Sequence, residues 1–187
     1  MKNLIIILII TFADPTWAAA KLKDPNCTDV TQISERLIPQ YLALVDGYKR
    51  AGKEVGRVNL ARIIRETENV VDQCNQNRVA KLSAVRRYIR VSNLPTTKWA
   101  PSSPAVISPT KARCHDFSAL NENLQPVAIY WVVGYSRLGV TKNGEVDNLF
   151  FSQPIDTLVE ECAAVPNASF YGRTRDWMKN RIRVSRF

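Results

Sequence analysis

Histidine is almost missing from this chain: among 187 residues, His115 is the only one. The cysteines, Cys27, Cys74, Cys114 and Cys162, stand far apart, so no C-x-x-C half-site exists and zinc lacks both its thiolate pair and its histidines. Glycine is scarce, at 7 residues, and no Gly-rich phosphate loop is present. No serine or cysteine nucleophile is set beside a base. The neighbouring acids Glu160 and Glu161 do not replace one, because adjacent side chains on a helix point about 100° apart and do not converge on one bond. We therefore expect no enzyme, no metal site and no cofactor. Long apolar runs are lacking too. The longest, Leu4 to Ile10 extending to Phe12, falls well short of the roughly 20 residues that span a bilayer.

That short run has another use. Lys2 precedes it, and it ends at the small residues Ala18-Ala19-Ala20. Residues 1–20 read as a signal peptide cleaved near Ala20, which places the mature protein outside the cytosol. Export changes the reading of the cysteines, because an even number in a small exported chain suggests disulfides. Four cysteines allow three pairings. The mature chain is also basic. Residues 21–90 carry 14 Lys/Arg against 8 Asp/Glu, residues 111–187 carry 10 against 8, and Lys98 between them brings the net charge to +9. Such a surface suits anionic lipid or acidic proteins, or serves solubility alone; nucleic acid is not expected among its partners.

The spacing of the cysteines hides a repeat. Setting Cys27 over Cys114 puts Asp29 on Asp116, Pro39 on Pro126, and Gly47-Tyr48 on Gly134-Tyr135. A single-residue insertion then carries Val71 onto Val159, Asp72 onto Glu160 and Cys74 onto Cys162. Equivalent cysteines should behave equivalently, so the repeat selects the pairs Cys27–Cys74 and Cys114–Cys162. Closing each loop contributes about 4 kcal/mol on the chain-entropy model, help that a core of this size needs. Residues 92–112, with Pro95, Pro101, Pro104, Pro109, interspersed Ser and Thr, and Trp99, read as a semi-extended linker outside the core.

Apolar residues recur at helical spacing in both copies. In the first, helices are expected over 35–49, 59–74 and 78–91, with Gly47 and Gly52 weakening the end of the first of them. In the second they are expected over 123–138, from Pro154 to Cys162, and from Phe170 or Thr174 to Val184, with loop through 141–146. Pro126 fits a first turn. The β-branched run Val127 to Val133 could pass for a strand, but the repeat argues for helix. Asp29 and Asp116, two residues after their cysteines, suit the opening of a short helix. The fold class is therefore all-α: two tandem small helical units, 21–91 and 113–187, each with one internal disulfide, joined by the linker.

The second copy resembles the HdeA/HdeB family of periplasmic acid-stress chaperones. The similarity lies in Cys114-His115-Asp116-Phe117, Leu120-Asn121, Gln125-Pro126-Val127-Ala128, Tyr130-Trp131, Gly144, and Pro154 through Val159-Glu160-Glu161-Cys162. The first copy keeps Cys27-Thr28-Asp29, Pro39 and Cys74 but has Val30 in place of Phe117 and no tryptophan. The resemblance implies a periplasmic, ATP-independent chaperone that hides an apolar surface at neutral pH and exposes it in acid to unfolded client proteins. On that reading the client-binding residues are Pro126, Val127, Ile129, Tyr130, Trp131 and Val132. The same Tyr130-Trp131 pair, taken without the resemblance, reads as core.

The residue chemistry is compatible. As pH falls through about 4, carboxylates such as Asp29, Asp46, Asp116, Glu160 and Glu161 lose charge while the basic side chains keep theirs. These five are the expected pH-sensing residues. The copies are expected to face one another through their Pro39 and Pro126 helices as an intramolecular pseudo-dimer, with the first copy as a cover. The basic tail carries Arg173, Arg175, Lys179, Arg181, Arg183 and Arg186. It reads as a solvated helix with Trp177 inward, as a solubilising end for client complexes, or, with Trp177, Met178, Ile182, Val184 and Phe187 interleaved, as a membrane-surface helix. The alternative to the chaperone is a non-enzymatic envelope module of the same fold.

Overall fold

The computed structural model describes residues 20–92, 105–146, 151 and 154–184; of 91, 183 and 184 it describes the backbone only. Among the described residues there are eight α-helices and four two-residue strands, which bears out a mostly helical fold with one disulfide per unit. Residues 1–19, expected to belong to a signal peptide, lie outside the described residues, as do Trp99 and Arg186.

The first unit opens with strand β1 (Ala20–Lys21) and helix α1 (Cys27–Thr31). Asn26 caps α1: its Oδ1 accepts the Asp29 N–H at 3.1 Å, and Asp29 Oδ2 accepts the Asn26 N–H at 2.7 Å. After a 3-10 turn (Glu35–Leu37) comes α2 (Ile38–Arg50), with Pro39 in its first turn where a missing N–H costs nothing. Strand β2 (Val58–Asn59) leads into α3 (Leu60–Gln76), capped by Asn59, whose Oδ1 accepts from Arg62 N at 3.0 Å. Helix α4 (Leu82–Val91) closes the unit. Cys27–Cys74 ties α1 to α3.

The second unit runs β3 (Val106–Ile107), α5 (Cys114–Ser118), α6 (Gln125–Ser136), β4 (Glu145–Val146), α7 (Asp156–Ala164) and α8 (Phe170–Val184). Cys114–Cys162 ties α5 to α7. Asp116 accepts the Arg113 N–H at 2.9 Å, as Asp29 does for Asn26. Arginine carries no acceptor, so the reverse bond made by Asn26 has no equivalent, and Asp116 N turns to the Arg113 carbonyl.

Two expectations need correction. Residues 92–112 do not all lie outside the core: Ala105, Ile107 and Ala112 are buried, and β3 pairs antiparallel with β2. The stretch 141–146 is not all loop, because β4 pairs with β1. Each unit thus lends its leading strand to the other unit's interhelical loop. Each of these short segments turns one side chain inward and finds its backbone partners across the units.

The core is one continuous cluster with members from both units. Its centre is the crossing of α2 and α6, the most extensive contact between any two elements. Gly47 and Gly134 set how closely these helices approach. A Cβ on Gly47 would sit 2.1 Å from the Trp131 carbonyl oxygen, and one on Gly134 would sit 2.1 Å from that of Leu44. Gly47 is therefore no sign of a helix ending, as its sequence context suggested. It lies inside α2, where another backbone needs the space of a side chain.

Candidate functional site

The expected client-binding residues lie on α6, and α6 is covered. Every residue from Val127 to Gly134 is buried, and of the expected set only Pro126 is part-exposed. A helix apolar on all sides must be central, and α6 is enclosed accordingly. α2 crosses it with Tyr41, Leu42, Leu44 and Val45 buried, and α8 packs against another side. Tyr130 stacks on Phe151 at 5.5 Å between ring centres, and Phe151 meets Tyr41 edge-on at 6.2 Å. Trp131 stacks on Tyr135 at 5.4 Å, and Tyr135 meets Tyr171 of α8 edge-on. Burial holds the Tyr130 hydroxyl far above its ordinary range, so it stays neutral. Among the described residues the large exposed apolar side chains are Val79 and Tyr88, both on the first unit.

The polar contacts across this surface are few. Tyr135 donates to the Lys53 carbonyl at 2.8 Å. The Trp131 indole N–H donates to Asp46 Oδ2 at 3.0 Å, so an α2 carboxylate holds the largest side chain of α6. The same Asp46 pairs with Arg50 at 3.3 Å and faces Arg86 of α4 at 3.7 Å. Arg86 in turn meets Glu66 of α3, with Nε and a terminal nitrogen both 2.9 Å from Oε2. Arg62 at 2.9 Å and Arg90 at 3.0 Å hold the other oxygen of Glu66. Glu66 and Arg86 are each only 5% exposed. Burial alone would raise the Glu66 pKa, but the Arg86 and Arg90 guanidinia outweigh it and hold the carboxyl below its ordinary range.

The five expected pH-sensing residues are not brought together. Asp29 and Asp116 cap the two short helices beside the disulfides. Glu160 and Glu161 are exposed on α7. Asp46 alone reaches α6. Glu66 and Arg86 are absent from the expected set, although the sequence held a signal for them. Arg62 and Glu66 are spaced i,i+4 on one predicted helix, and Arg86 and Arg90 are spaced i,i+4 on the next, which suits a ladder between adjacent helices.

The tail helix turns Phe170, Trp177 and Met178 inward. Trp177 and Met178 are buried, and the Trp177 indole donates to Thr157 at 3.2 Å. Arg181 lies over the Trp177 ring and also donates to Thr157, Arg175 lies over Tyr171, and Lys179 faces Asp176 at 3.8 Å. Arg173 is part-exposed, and Arg183 is described by its backbone alone. The arrangement is that of a solvated helix with Trp177 inward. His115 is exposed, its ring 3.1 Å from Asp116 and 3.3 Å from the Pro166 carbonyl. Among the described residues no cluster of His, Cys, Asp or Glu could hold a metal ion, and no helix is long and apolar enough to cross a membrane.

Residues 96–172 match the model of the HdeA/HdeB family. Proteins of Brucella ovis, Brucella canis and Brucella melitensis, each described as a probable acid stress chaperone HdeA, are 29% identical to this chain over 66 residues. That stretch is 35% of this chain and 58% of each relative, so the chain spans little more than half the length of the curated relatives it matches. No solved structure matches the chain. The resemblance read from the second unit therefore stands, and the matched segment contains all of α6.

Proposed function

We propose, from the HdeA/HdeB match of residues 96–172, that the protein is a periplasmic, ATP-independent chaperone that binds acid-unfolded proteins and keeps them from aggregating. The observation that carries this reading is the seating of α2 on α6. The apolar stretch Val127 to Val133 lies inside the matched segment, yet in the closed form another helix of the same chain covers it. In this reading the two units act as an intramolecular pseudo-dimer. Acid separates them and presents Val127, Ile129, Tyr130, Trp131 and Val132 to clients.

The physics supports the sequence of events. The protein is positive at neutral pH, and protonating its carboxylates adds repulsion without any new attraction. The disulfides do not titrate, so each unit loosens around a fixed crosslink. An oxidising compartment suits a chain whose four cysteines are all paired. Because the linker keeps the cover at an effective concentration on the order of millimolar, reclosure on neutralisation is fast and releases the client.

The test is light scattering of an acid-denatured client at about pH 2–3, with and without the protein. Suppressed scattering supports the chaperone, and equal scattering overturns it. Fractionation of cells producing the full chain tests the compartment: recovery with the cytosol contradicts a periplasmic protein.

A further inference from the structure

Resting on the chaperone reading above, we infer that the acid trigger is housed in the first unit, outside residues 96–172. The buried Arg86 guanidinium, clamped between Glu66 and Asp46, keeps α2 seated on α6, and protonation of those two carboxylates unseats it.

Arg86 is the pivot because it cannot discharge. An arginine stays protonated at any pH the cell meets, so its burial is tolerable only while carboxylates face it. Two do: Glu66 through paired 2.9 Å contacts and Asp46 at 3.7 Å. The other charges at this point are nearly all positive. From α2 come Lys49 and Arg50 beside Asp46; from α3, Arg62 beside Glu66; from α4, Arg90 beside Arg86. From α6 comes only the Trp131 indole, which does not titrate. Two carboxylates thus hold five cations. Protonating both leaves a buried guanidinium without a counterion and four more cations around it, which is the costly way to break a buried pair.

The clamp also touches the parts that must move. Asp46 is the residue through which α2 holds Trp131, so weakening its charge loosens the cover at the largest side chain of the surface it protects. Glu66 joins α3 to α4, and through Arg86 to α2. The same event therefore loosens the first unit internally and frees α2 to leave.

The pH window follows from sign. Glu66 is held below its ordinary value by the arginines around it. Its stabilisation is complete above the unfolded carboxylate value and disappears as pH falls through the lower folded one. The clamp consequently survives mild acid and fails only in strong acid. Among the described residues the second unit shows no such ion-pair clamp. The insertion-corrected repeat puts Thr174 in the place of Arg86, and Thr174 is buried with its hydroxyl satisfied by the Phe170 carbonyl at 2.9 Å. A neutral, self-satisfied residue there gives acid nothing to break. The client-binding unit is thus built to stay folded while its cover comes loose.

The experiment is a pH titration of the full, disulfide-intact chain, read by hydrophobic-dye binding and by amide exchange of α2, α6 and α8 peptides. Glu66→Gln imitates the protonated clamp. It should raise the opening midpoint by about one pH unit or more, with exchange rising in α2 and α6 before α8. The double variant Glu66→Met with Arg86→Met removes charge and counterion together. It should remain closed at neutral pH and open at a lower midpoint than the natural chain. If Glu66→Gln fails to fold, the double variant decides alone. Midpoints of the double variant and the natural chain that coincide overturn the trigger, and so does opening that begins in α8. Client light scattering, run on the same samples, separates the two ideas. An opened protein that fails to suppress aggregation sinks the chaperone reading and leaves the trigger standing. Unshifted midpoints with full suppression do the reverse.

Discussion

The two units share a frame and differ in what fills it. Where the first has Val30 and Leu82, both buried, the second has Phe117 and Phe170, stacked at 4.5 Å between ring centres. Where the first buries an arginine with two carboxylates, the second buries a threonine that satisfies itself within its own helix. The central helices differ in the same way. α6 is buried along its whole middle, while α2 is buried on the face toward α6 and carries Asp46, Lys49 and Arg50 near its end. One unit is held by apolar contact, which acid leaves alone, and the other partly by ion pairs, which acid removes. On the proposed function, the two units divide the work of surface and cover.

The largest test of this contrast is to remove each crosslink in turn. The loops span 47 and 48 residues, so the chain-entropy model assigns each disulfide about 4 kcal/mol. Replacing Cys27 and Cys74 by Ala should unfold the first unit at lower denaturant concentration than replacing Cys114 and Cys162 unfolds the second. The Phe117–Phe170 stack gives the second unit packing that the first lacks. Chemical denaturation followed by near-UV dichroism measures both, and an earlier loss of the second unit would break the comparison.

Next comes the crossing, where the units are alike. Gly47→Ala and Gly134→Ala should each destabilise by about 3 kcal/mol, since each added methyl lands on a carbonyl of the facing helix. The double variant should cost clearly less than the sum, because helices already forced apart leave room for the second methyl. Additive losses would mean that the two glycines do not meet at one crossing.

Much of this arrangement was legible beforehand, and the pattern of what was missed is physical. The disulfide pairs followed from the repeat, in which equivalent cysteines behave alike, and the helices from the apolar period, which local geometry sets. The places of Gly47 and Gly134 were visible as a coincidence, but a glycine in a helix reads as weakness until the facing backbone is seen. Pairing of β1 with β4 and of β2 with β3 joins two residues to two across the chain, too short a pattern to announce itself. Among the acids, counting could not separate Asp46 from Asp29 or Glu161. Their roles depend on which helix end or indole lies opposite, and that of Glu66 depends on the arginines that the next helix brings to it.

A smaller effect tests the aromatic side of the contrast. Phe117→Val gives the second unit the side chain that the first already has, and removes the stack on Phe170. The loss should be about 2 kcal/mol, below that of a full truncation to alanine. The acid midpoint for α2 leaving α6 should move little, because the stack lies away from the clamp. Thermal unfolding at neutral pH together with the acid titration reads both quantities. A large shift in the acid midpoint would place part of the trigger in the second unit.

The smallest expected effect concerns the paired caps. Asp29 and Asp116 each accept the N–H that precedes their helix, at 2.7 and 2.9 Å. Only at Asp29 does a side chain, that of Asn26, return the bond. Replacing either aspartate by Ala should cost about 1 kcal/mol. The loss should be slightly greater at Asp29, where a reciprocal pair is broken, than at Asp116, where Asp116 N keeps the Arg113 carbonyl either way. Asp29 is part-exposed and Asp116 exposed, and neither touches the Arg86 clamp, so replacing either should leave the opening midpoint near its natural value. Urea titrations of the two variants at neutral pH, repeated in acid, decide the matter. A cap variant that moved the acid midpoint as far as Glu66→Gln would spread the trigger over both units and end the division between cover and surface.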